Sequence, residues 1–324
     1  MSLHTTNTTR EEEEIPQPQR PPSPPFHTTF AARGLHAQNF PAHKPRDLRI
    51  PSPQAITHVA WSCDGKRLAA VGIDKITRVW NPETSMEFRS ATHFSGGHSD
   101  DVDHMSWNPI HPDLFCTSWN RHLQQIQLKV SPVQTNYSPD GKALLCPSAG
   151  HQLFFLTLGK DKDGVVRQSI VALTAVFNHV RDGIILTHHS EHTLRIMDYP
   201  SLTLRESPAA HVGGCVAVAL DPRGRYLASG GYDSIMNIFD LNEWIYARTI
   251  DTCENAINAL SFLYDGEYLA IANNGSYIDI VTLAPSPAVT WHPSKYVFAY
   301  CGQTKLREGQ PPPAAVISLF GGGI

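Results

Sequence analysis

Histidine and acidic side chains are the residues of this chain with the clearest capacity for chemistry. The densest group comprises His188, His189, Glu191 and His192, and imidazole and carboxylate groups are common ligands of divalent metals. In a turn, however, their spacing does not place three of these side chains on one side of a strand. We therefore interpret the group as a solvated loop and predict no metal site.

Two histidines and two aspartates occupy equivalent places in the sequence. His98 and His211 each come shortly before a strand-like apolar run, and Asp74 and Asp233 each lie in a turn between two such runs. A buried hydrogen bond between a histidine and an aspartate across one sheet would satisfy both side chains. We therefore predict structural roles for these four residues.

Sequence motifs for catalysis are missing from the chain. It contains no G-x-S-x-G, P-loop, H-E-x-x-H or G-x-G-x-x-G pattern,. The glycines at 321–323 precede no helix, so they do not form a phosphate cradle. We expect no catalytic residue, no cofactor and no small-molecule substrate, and we predict that the protein is not an enzyme.

A glycine-centred turn recurs along the chain and indicates the elements that carry these side chains. Gly141, Gly183, Gly224 and Gly266 follow one another at intervals of 41 or 42 residues, and Gly65 precedes Gly141 by 76 residues, close to two periods. Most of these glycines follow an aspartate, and Asp-Gly between strand-like runs predicts a hairpin in which both central positions have positive φ. A period of about 40–45 residues with several strands in each unit is typical of a β-propeller.

Seven units can be counted from the last residue of each first strand. These anchors are Trp61, Trp107, Tyr137, Phe177, Leu220, Phe262 and Trp291. We assign structural repeat positions to the anchors with clear motifs, the turn residues and the polar residues at strand ends: Trp61, Asp64, Gly65, Asp74, Trp80, His98, Trp107, Gly141, Gly183, His211, Gly224, Asp233, Gly266 and Trp291. The prediction is an all-β, seven-bladed WD40 β-propeller over residues 29–324.

The ends of the ring and two of its blades depart from a regular pattern. The last unit has only three strands before the chain stops, so we expect a strand from residues 29–52 to complete it and to remove an open sheet edge. The second and sixth units are each about 12 residues short. We predict that His122–Val130 and Tyr277–Leu283 are the third strands of these blades and that both blades lack an outermost strand. The shortening is explained either by trimmed blades or by exons lost from the gene model.

The remaining composition indicates the class and surroundings of the protein. Residues 1–28 combine the acidic run Glu11–Glu14 with six prolines from Pro16 to Pro25, a composition that predicts a disordered tail, with a polyproline segment that docks on a partner as the alternative. The six cysteines form no C-x-x-C pair and are expected to be reduced,. The sequence predicts no signal peptide and no membrane span, and its net charge of −4 is unlike that of a dedicated nucleic-acid binder,.

Specific strings in this chain resemble the THO complex subunit 3 family of WD-repeat proteins. The resemblance covers about residues 30–321 and rests on the segments 59–69, 102–109, 111–115, 221–228, 277–280 and 291–321. The W-S-C-D-G-K-R-L-A string and the H-P-D-L-F turn are its most specific parts. The two shortened blades and the tail depart from the family pattern.

The resemblance implies a function in binding. It implies a non-catalytic scaffold in the nucleus, within the THO core of the TREX complex, which couples transcription to mRNA processing and export. Its partners would be other THO and TREX subunits, with RNA held indirectly through the complex and no membrane contact. The alternative is another nuclear WD40 adaptor, such as a chromatin reader or a ubiquitin-ligase substrate receptor, because a propeller fold alone does not determine function.

Overall fold

The structure is a computed structural model that describes most of the chain from residue 46 to residue 321. The described residues are 46–51, 55–95, 100–119, 122–123, 126–127, 132–148, 152–157, 165–188, 190–251, 253–264, 266, 268–275, 288–295, 297–303 and 315–321. Nearly all regular structure in these ranges is β-strand, with a short 3-10 helix at Phe88–Ser90. None of the helices in these ranges has the length and apolar character needed to span a membrane. The predicted tail, residues 1–28, lies outside the described residues.

Within those ranges the strands form seven antiparallel sheets, which we number I to VII. Strand β1 (Arg46–Arg49) comes first in the chain and belongs to the last sheet. Sheet I contains β2 (Ile56–Trp61), β3 (Leu68–Gly72), β4 (Thr77–Trp80) and β5 (Thr92–Phe94). Sheet II contains β6 (Val102–Trp107), β7 (Phe115–Trp119), β8 (His122–Leu123) and β9 (Ile126–Gln127). Sheet III contains β10 (Asn136–Tyr137), β11 (Ala143–Ser148), β12 (Gln152–Thr157) and β13 (Val165–Gln168).

The other four sheets complete the order along the chain. Sheet IV contains β14 (Thr174–Phe177), β15 (Gly183–Thr187), β16 (Arg195–Asp198) and β17 (Leu204–Glu206). Sheet V contains β18 (Cys215–Leu220), β19 (Tyr226–Gly231), β20 (Met236–Asp240) and β21 (Tyr246–Ile250). Sheet VI contains β22 (Ile257–Phe262) and β23 (Leu269–Asn273), and sheet VII contains β24 (Ala288–Trp291), β25 (Val297–Gln303), β26 (Ala315–Gly321) and β1.

The sheets follow one another around a ring. The first strand of each sheet contacts the first strand of the next, from β2 through β6, β10, β14, β18, β22 and β24 back to β2. Every residue of β3 and of β11 is buried, because both faces of these strands pack against neighbouring sheets. Six apolar clusters fill the junctions from VII–I round to V–VI. This arrangement explains why the second strands read as short, continuous apolar runs.

Strand β1 closes the ring by pairing with the last strand of the chain. Arg46 lies opposite Leu319 and Arg49 lies opposite Val316. Leu48 turns inward and packs in the apolar cluster that joins sheets VII and I. The predicted all-β propeller and its closure by an N-terminal strand are confirmed. The count of seven complete blades stays a prediction, because the described residues include only two strands of sheet VI.

The second blade differs from its predicted form. We expected His122–Val130 to be a single third strand and the outermost strand to be absent. Sheet II instead has four strands, because this segment is divided into β8 and β9, each of two residues. The second unit is shorter than a full unit because two of its strands are short. It still has four strands, as most of the other sheets do. The predicted third strand of the sixth blade, Tyr277–Leu283, lies outside the described residues.

The glycine turns have a common geometry, which differs from the predicted one in one respect. The N–H groups of Gly65, Gly141, Gly224 and Gly266 each donate to the carbonyl three residues earlier, at 2.8–2.9 Å. Their φ angles are +66° to +70°, whereas Asp64 and Asp140, which precede two of these glycines, do not have positive φ. The prediction of two positive-φ positions was therefore wrong, and the turn is a type I turn followed by a left-handed glycine.

Gly183 also differs from its predicted position. It is the first residue of β15, and the left-handed residue of this turn is Arg181, whose φ is +61°. The N–H of Arg181 points to the carbonyl of Asn178 at 3.3 Å. The turn thus keeps its shape although the glycine is displaced by two residues.

Three of the turn glycines also bring adjacent sheets into contact. Gly141 lies against Asn108 of sheet II, which donates from Nδ2 to the Gly141 carbonyl at 2.9 Å. In the same way Gly65 lies against His292 of sheet VII, and Gly266 lies against Asp221 of sheet V. A side chain at these glycines would enter the space of the neighbouring sheet. The recurring glycine is therefore required for packing between sheets as well as for its own φ.

We predict that Gly141→Ala lowers the free energy of unfolding by about 2–4 kcal/mol, because an L residue resists positive φ and its Cβ would displace Asn108. An ideal Cβ at this position would lie 2.5 Å from Asn108 Oδ1. Urea denaturation measures the loss. In an Asn108→Ala background the same change should cost only about 1–2 kcal/mol, the backbone cost alone. Equal costs in both backgrounds would contradict the inter-sheet contact.

Candidate functional site

His211 is the centre of a hydrogen-bond chain at one end of sheet V. Its Nδ1 lies 3.0 Å from Asp233 Oδ1, and its Nε2 lies 2.8 Å from Ser229 Oγ. Asp233 Oδ2 accepts the N–H of Val212 at 2.9 Å. These bonds tie the loop that enters sheet V to the turn between β19 and β20, so the exposed loop is held at a fixed position.

The protonation of His211 follows from its surroundings. Burial lowers the pKa of His211, and the charge of Asp233 opposes that shift only in part. The neutral ring therefore donates from Nδ1 to the carboxylate and accepts the Ser229 hydroxyl at Nε2. Serine, histidine and aspartate in this order would activate a hydroxyl nucleophile, but Ser229 is fully buried. The chain of bonds is therefore suited to holding loops together, and it leaves the serine out of reach of a substrate.

A groove of about 480 Å³ lies beside this histidine, and we call it the His211 groove. Its lining residues are His192, Ala209, Ala210, His211, Val212, Asp233, Ile235, Asn237, Tyr246 and Thr249. The polar groups of the wall are bonded to one another, since Tyr246 donates to the Ala209 carbonyl at 2.6 Å and Asn237 donates to the Ala210 carbonyl at 2.6 Å. What the groove offers to a ligand is therefore mainly apolar surface.

Exposed apolar side chains surround the groove. Val212 is 82% exposed, and Tyr232 and Tyr246 are half exposed. Aromatic side chains of this kind contribute large contact areas in protein interfaces. The sequence analysis selected His211 and Asp233 but missed Val212, Tyr232 and Tyr246. An exposed apolar residue cannot be told from a buried one by its type alone.

The corresponding place in sheet I is built differently. We expected Asp74 to bond with His98, which lies outside the described residues. The structure pairs Asp74 Oδ2 with Arg78 Nη2 at 2.6 Å, and both side chains are almost completely buried. A buried carboxylate needs a charged or hydrogen-bonded partner, and an arginine four residues along supplies it here. This pairing was not foreseen from the sequence.

The tryptophans among the predicted repeat positions lie at the ends of strands. Trp80 and Trp107 are buried, and their Nε1–H groups donate to the carbonyls of Glu87 at 3.2 Å and Ala60 at 3.1 Å. Trp61 is equally buried, but its Nε1 has no hydrogen-bond partner among the described residues. Trp291 pairs with Phe298 through the backbone of β24 and β25.

Among the other predicted positions, Asp64 and the glycines at 65, 141, 224 and 266 lie in the turns described above. Asp64 accepts the Ser62 hydroxyl at 2.6 Å and the Lys66 N–H at 3.1 Å, so it stabilises the turn that ends at Gly65. Gly224 is at the same place in sheet V with φ +69°. These residues are dispersed among the sheets and form no common site.

The described side chains of the histidine-rich segment bond with different partners. His188 Nδ1 bonds with Ser190 Oγ at 2.7 Å, Glu191 pairs with Arg195 at 2.5 Å, and His192 bonds with the His211 carbonyl at 3.1 Å. His189 lies outside the described residues. In the described part of the chain, no group of three histidine, cysteine or acidic residues could hold a metal ion.

Two histidines whose tilted rings lie close together join sheets I and II near the inner strands, and the sequence did not reveal them. The rings of His58 and His104 have centroids 4.0 Å apart. Burial lowers the pKa of His58 to about 4, and burial together with the charge of His58 also lowers that of His104. Nδ1 of His58 is covered and has no hydrogen-bond partner within the described ranges. The two rings are therefore neutral at neutral pH and act as packing groups.

We predict that protonation of His58 destabilises the protein in acid. The unfolded chain binds this proton below a pKa of about 6.5, whereas the folded protein binds it only near 4. Stability should therefore be constant above pH 6.5 and fall between pH 6.5 and 4, by at most about 3 kcal/mol from this residue. His58→Phe keeps an aromatic ring and should flatten this part of the curve of unfolding free energy against pH.

The exposed His93 provides the control for that measurement. His93→Phe makes the same chemical change on an outer strand whose residues are exposed, and it should leave the acid dependence unchanged. An unchanged slope in His58→Phe would show that this histidine does not carry the effect.

Comparison with known proteins places the chain among WD-repeat proteins. The model for the WD domain, G-beta repeat, matches residues 40–81 and 202–240. THO complex subunit 3 of Arabidopsis thaliana is 29% identical over 86% of this chain and 93% of that protein. The WD repeat-containing protein AAC3 of Dictyostelium discoideum is 21% identical over 91% of this chain and 71% of that protein.

A solved structure supports the same architecture. The β-propeller domain of Cps50 (Swd1) from Myceliophteria thermophila superposes with a TM-score of 0.68 at 17% identity, covering 83% of this chain and 97% of that domain. At this identity the likeness establishes the fold alone. With its repeat matches, its sheet ring and its similarity to a solved propeller, the chain is a WD-repeat β-propeller protein, and it is similar to THO complex subunit 3 along most of its length.

Proposed function

We propose that this protein is a non-catalytic scaffold subunit of a THO complex in the nucleus. The observation that supports this most directly is the 29% identity with THO complex subunit 3, which extends over 86% of this chain and 93% of the relative. The alignment spans both proteins nearly end to end, so the similarity is not confined to one repeat of the propeller. In this role the protein would join the THO core of TREX and couple transcription to mRNA processing and export.

A scaffold role agrees with the chemistry of the described residues. The polar side chains of sheet V are bonded to one another, and the serine of its serine–histidine–aspartate chain is buried. What reaches solvent at this place is the apolar surface of Val212, Tyr232 and Tyr246. We propose that the His211 groove receives apolar side chains of another THO subunit, while RNA is held by the assembly and not by this chain directly.

Affinity purification from nuclear extract tests the complex. The tagged chain should recover the other THO subunits in near-equal amounts, and ribonuclease treatment should not release them because the contacts are between proteins. Recovery of cullin-ligase or histone-modifying partners without THO subunits would reject the proposal. Direct crosslinking of RNA to this chain would contradict the indirect role of RNA.

Substitutions in the His211 groove test the surface separately. The double variant Val212→Ser and Tyr232→Ser should reduce recovery of THO subunits at least about tenfold, since exposed interface anchors contribute about 1–2 kcal/mol or more each. The fold should persist, because both side chains lie in solvent. Val180 is 63% exposed in the turn before β15, so Val180→Ser is a matched control and should leave recovery unchanged. Equal recovery with both variants would remove the groove from the interface but not the protein from the complex.

A further inference from the structure

A second, smaller cavity lies where the first and last sheets of the ring meet. It has a volume of about 190 Å³, and we call it the seam pocket. Its lining residues are Trp61, Gly65, Pro82, Glu83, His292, Lys295 and Val297. The first four belong to sheet I and its turns, and the last three belong to sheet VII. The pocket is large enough for one amino-acid side chain.

Trp61 in the wall of the seam pocket carries an indole N–H that no described residue accepts. Trp61 is only 8% exposed, and its Nε1–H has no acceptor in the described part of the chain. The equivalent N–H of Trp107 donates to the Ala60 carbonyl of the preceding sheet at 3.1 Å. A buried donor without a partner is destabilising, because it has lost its hydrogen bonds to water and gained none in return. At the junction of sheets I and II a backbone carbonyl therefore accepts the tryptophan N–H. At the junction of sheets VII and I, no described residue provides such a carbonyl.

The other polar groups of the pocket are already paired. His292 Nδ1 accepts the Ser294 N–H at 3.1 Å, and the imidazole also bonds with the backbone of Gly65. Lys295 Nζ lies 2.6 Å from Glu83 Oε1. The remaining wall is apolar, from Trp61, Pro82 and Val297. A fitting occupant therefore provides a neutral carbonyl for the Trp61 N–H and an apolar ring or side chain for the wall.

A proline-rich segment has both properties. In a polyproline II helix the carbonyl groups make no internal hydrogen bonds, so they are available to a donor such as an indole N–H. Docking on aromatic-lined grooves is an established mode of binding for such segments. Residues 16–25 of this chain contain six prolines. We propose that the seam pocket binds a proline-rich segment and that its occupant is residues 16–25 of this same chain.

The position of β1 brings this segment to the correct edge of the ring. Arg46 lies opposite Leu319, which lies opposite Ala299, two residues from Val297 in the pocket wall. The chain thus enters sheet VII near the end of the sheet that holds Val297, two strand spacings or about 10 Å from β25,. The 20 residues between Pro25 and Arg46 reach up to about 70 Å when extended. The tether is therefore long enough, and it keeps the segment at a high effective concentration near the pocket.

Charges at the mouth of the pocket match those of the segment. Glu83 and Lys295 have side chains that are 54% and 37% exposed, so each can exchange its partner. The proline segment carries Arg20 within it and Glu11–Glu14 before it. Arg20 can therefore pair with Glu83 at the mouth of the pocket, and the acidic run can pair with Lys295.

The Trp61 indole N–H provides a direct readout in NMR spectra of the full chain. The protein has six tryptophans, so the indole region is simple, and loss of a signal in Trp61→Phe assigns it. Replacing Pro21, Pro22, Pro24 and Pro25 by alanine should shift the Trp61 indole signal and speed its hydrogen exchange at least about tenfold. The Trp107 signal should stay unchanged, because its acceptor is the Ala60 carbonyl of sheet I and not a group of the tail. A variant with Thr28→Ala and Thr29→Ala is the tail control and should behave as the parent.

Addition of a peptide identifies the occupant. A synthetic peptide of residues 14–27, added to the proline-substituted protein, should return the Trp61 signal toward its parent position, and the same peptide with alanine for proline should not. An indole signal that is insensitive to the proline substitutions would overturn the proposal, even if the added peptide then moved it, because the chain's own tail would not be the occupant. A signal that changes with the substitutions but does not respond to the peptide would contradict direct docking.

Discussion

Closure of the ring is the constraint on which the rest of this structure depends. Each sheet is apolar on both faces and is stable only when a neighbour covers each of them. The last sheet obtains its fourth strand from Arg46–Arg49, and Leu48 joins the core shared by sheets VII and I. Chain ends that are far apart in sequence thus become adjacent strands. Because the first strands contact one another all the way round, an opened seam would expose apolar faces and strand edges together.

Polar contacts between the sheets set the register of this ring. Thr57 Oγ1 donates to the Val102 carbonyl at 2.5 Å, Asn108 donates to the Gly141 carbonyl, and Asn136 donates to the Ala175 carbonyl at 2.8 Å. Apolar contacts are not directional, so they would allow one sheet to slide along the next. A hydrogen bond to a single carbonyl fixes both the height and the angle of the neighbouring sheet. The exposed loops are held at fixed relative positions as a result.

The two surfaces proposed for binding differ because their places in the ring differ. The His211 groove lies within a complete repeat, where polar groups of the wall are bonded to one another and mainly apolar area remains for a ligand. The seam pocket lies where the repeat is interrupted by the chain ends, and there a tryptophan N–H is left without its acceptor. Between consecutive repeats, one sheet provides the acceptor for the donor of the next. The closing junction joins two repeats that are not consecutive in the sequence, and there no described residue accepts the tryptophan N–H.

The sequence by itself determined the periodic features of this protein. The glycine spacing identified the propeller, the missing strand of the last unit indicated closure from the N-terminus, and the hydrogen bond between His211 and Asp233 followed from their places in the repeat. These features follow from the period of about 40 residues, which can be followed along the chain without knowing how the sheets pack. The strings around Trp61 and Trp107 indicated a likeness to THO complex subunit 3, to which the chain is 29% identical.

Only the tertiary structure decided how neighbouring units meet. Four features were not visible in the sequence: the close contact of the His58 and His104 rings, the pairing of Asp74 with Arg78, the division of the strand at His122, and the Trp61 N–H that no described residue accepts. The displaced left-handed position at Arg181 was also found only there. Repeat periodicity specifies which residues each sheet presents, but a contact across a junction depends on the distance and angle between two sheets. The ring sets those values as a whole, because the position of each sheet depends on all the others that close it.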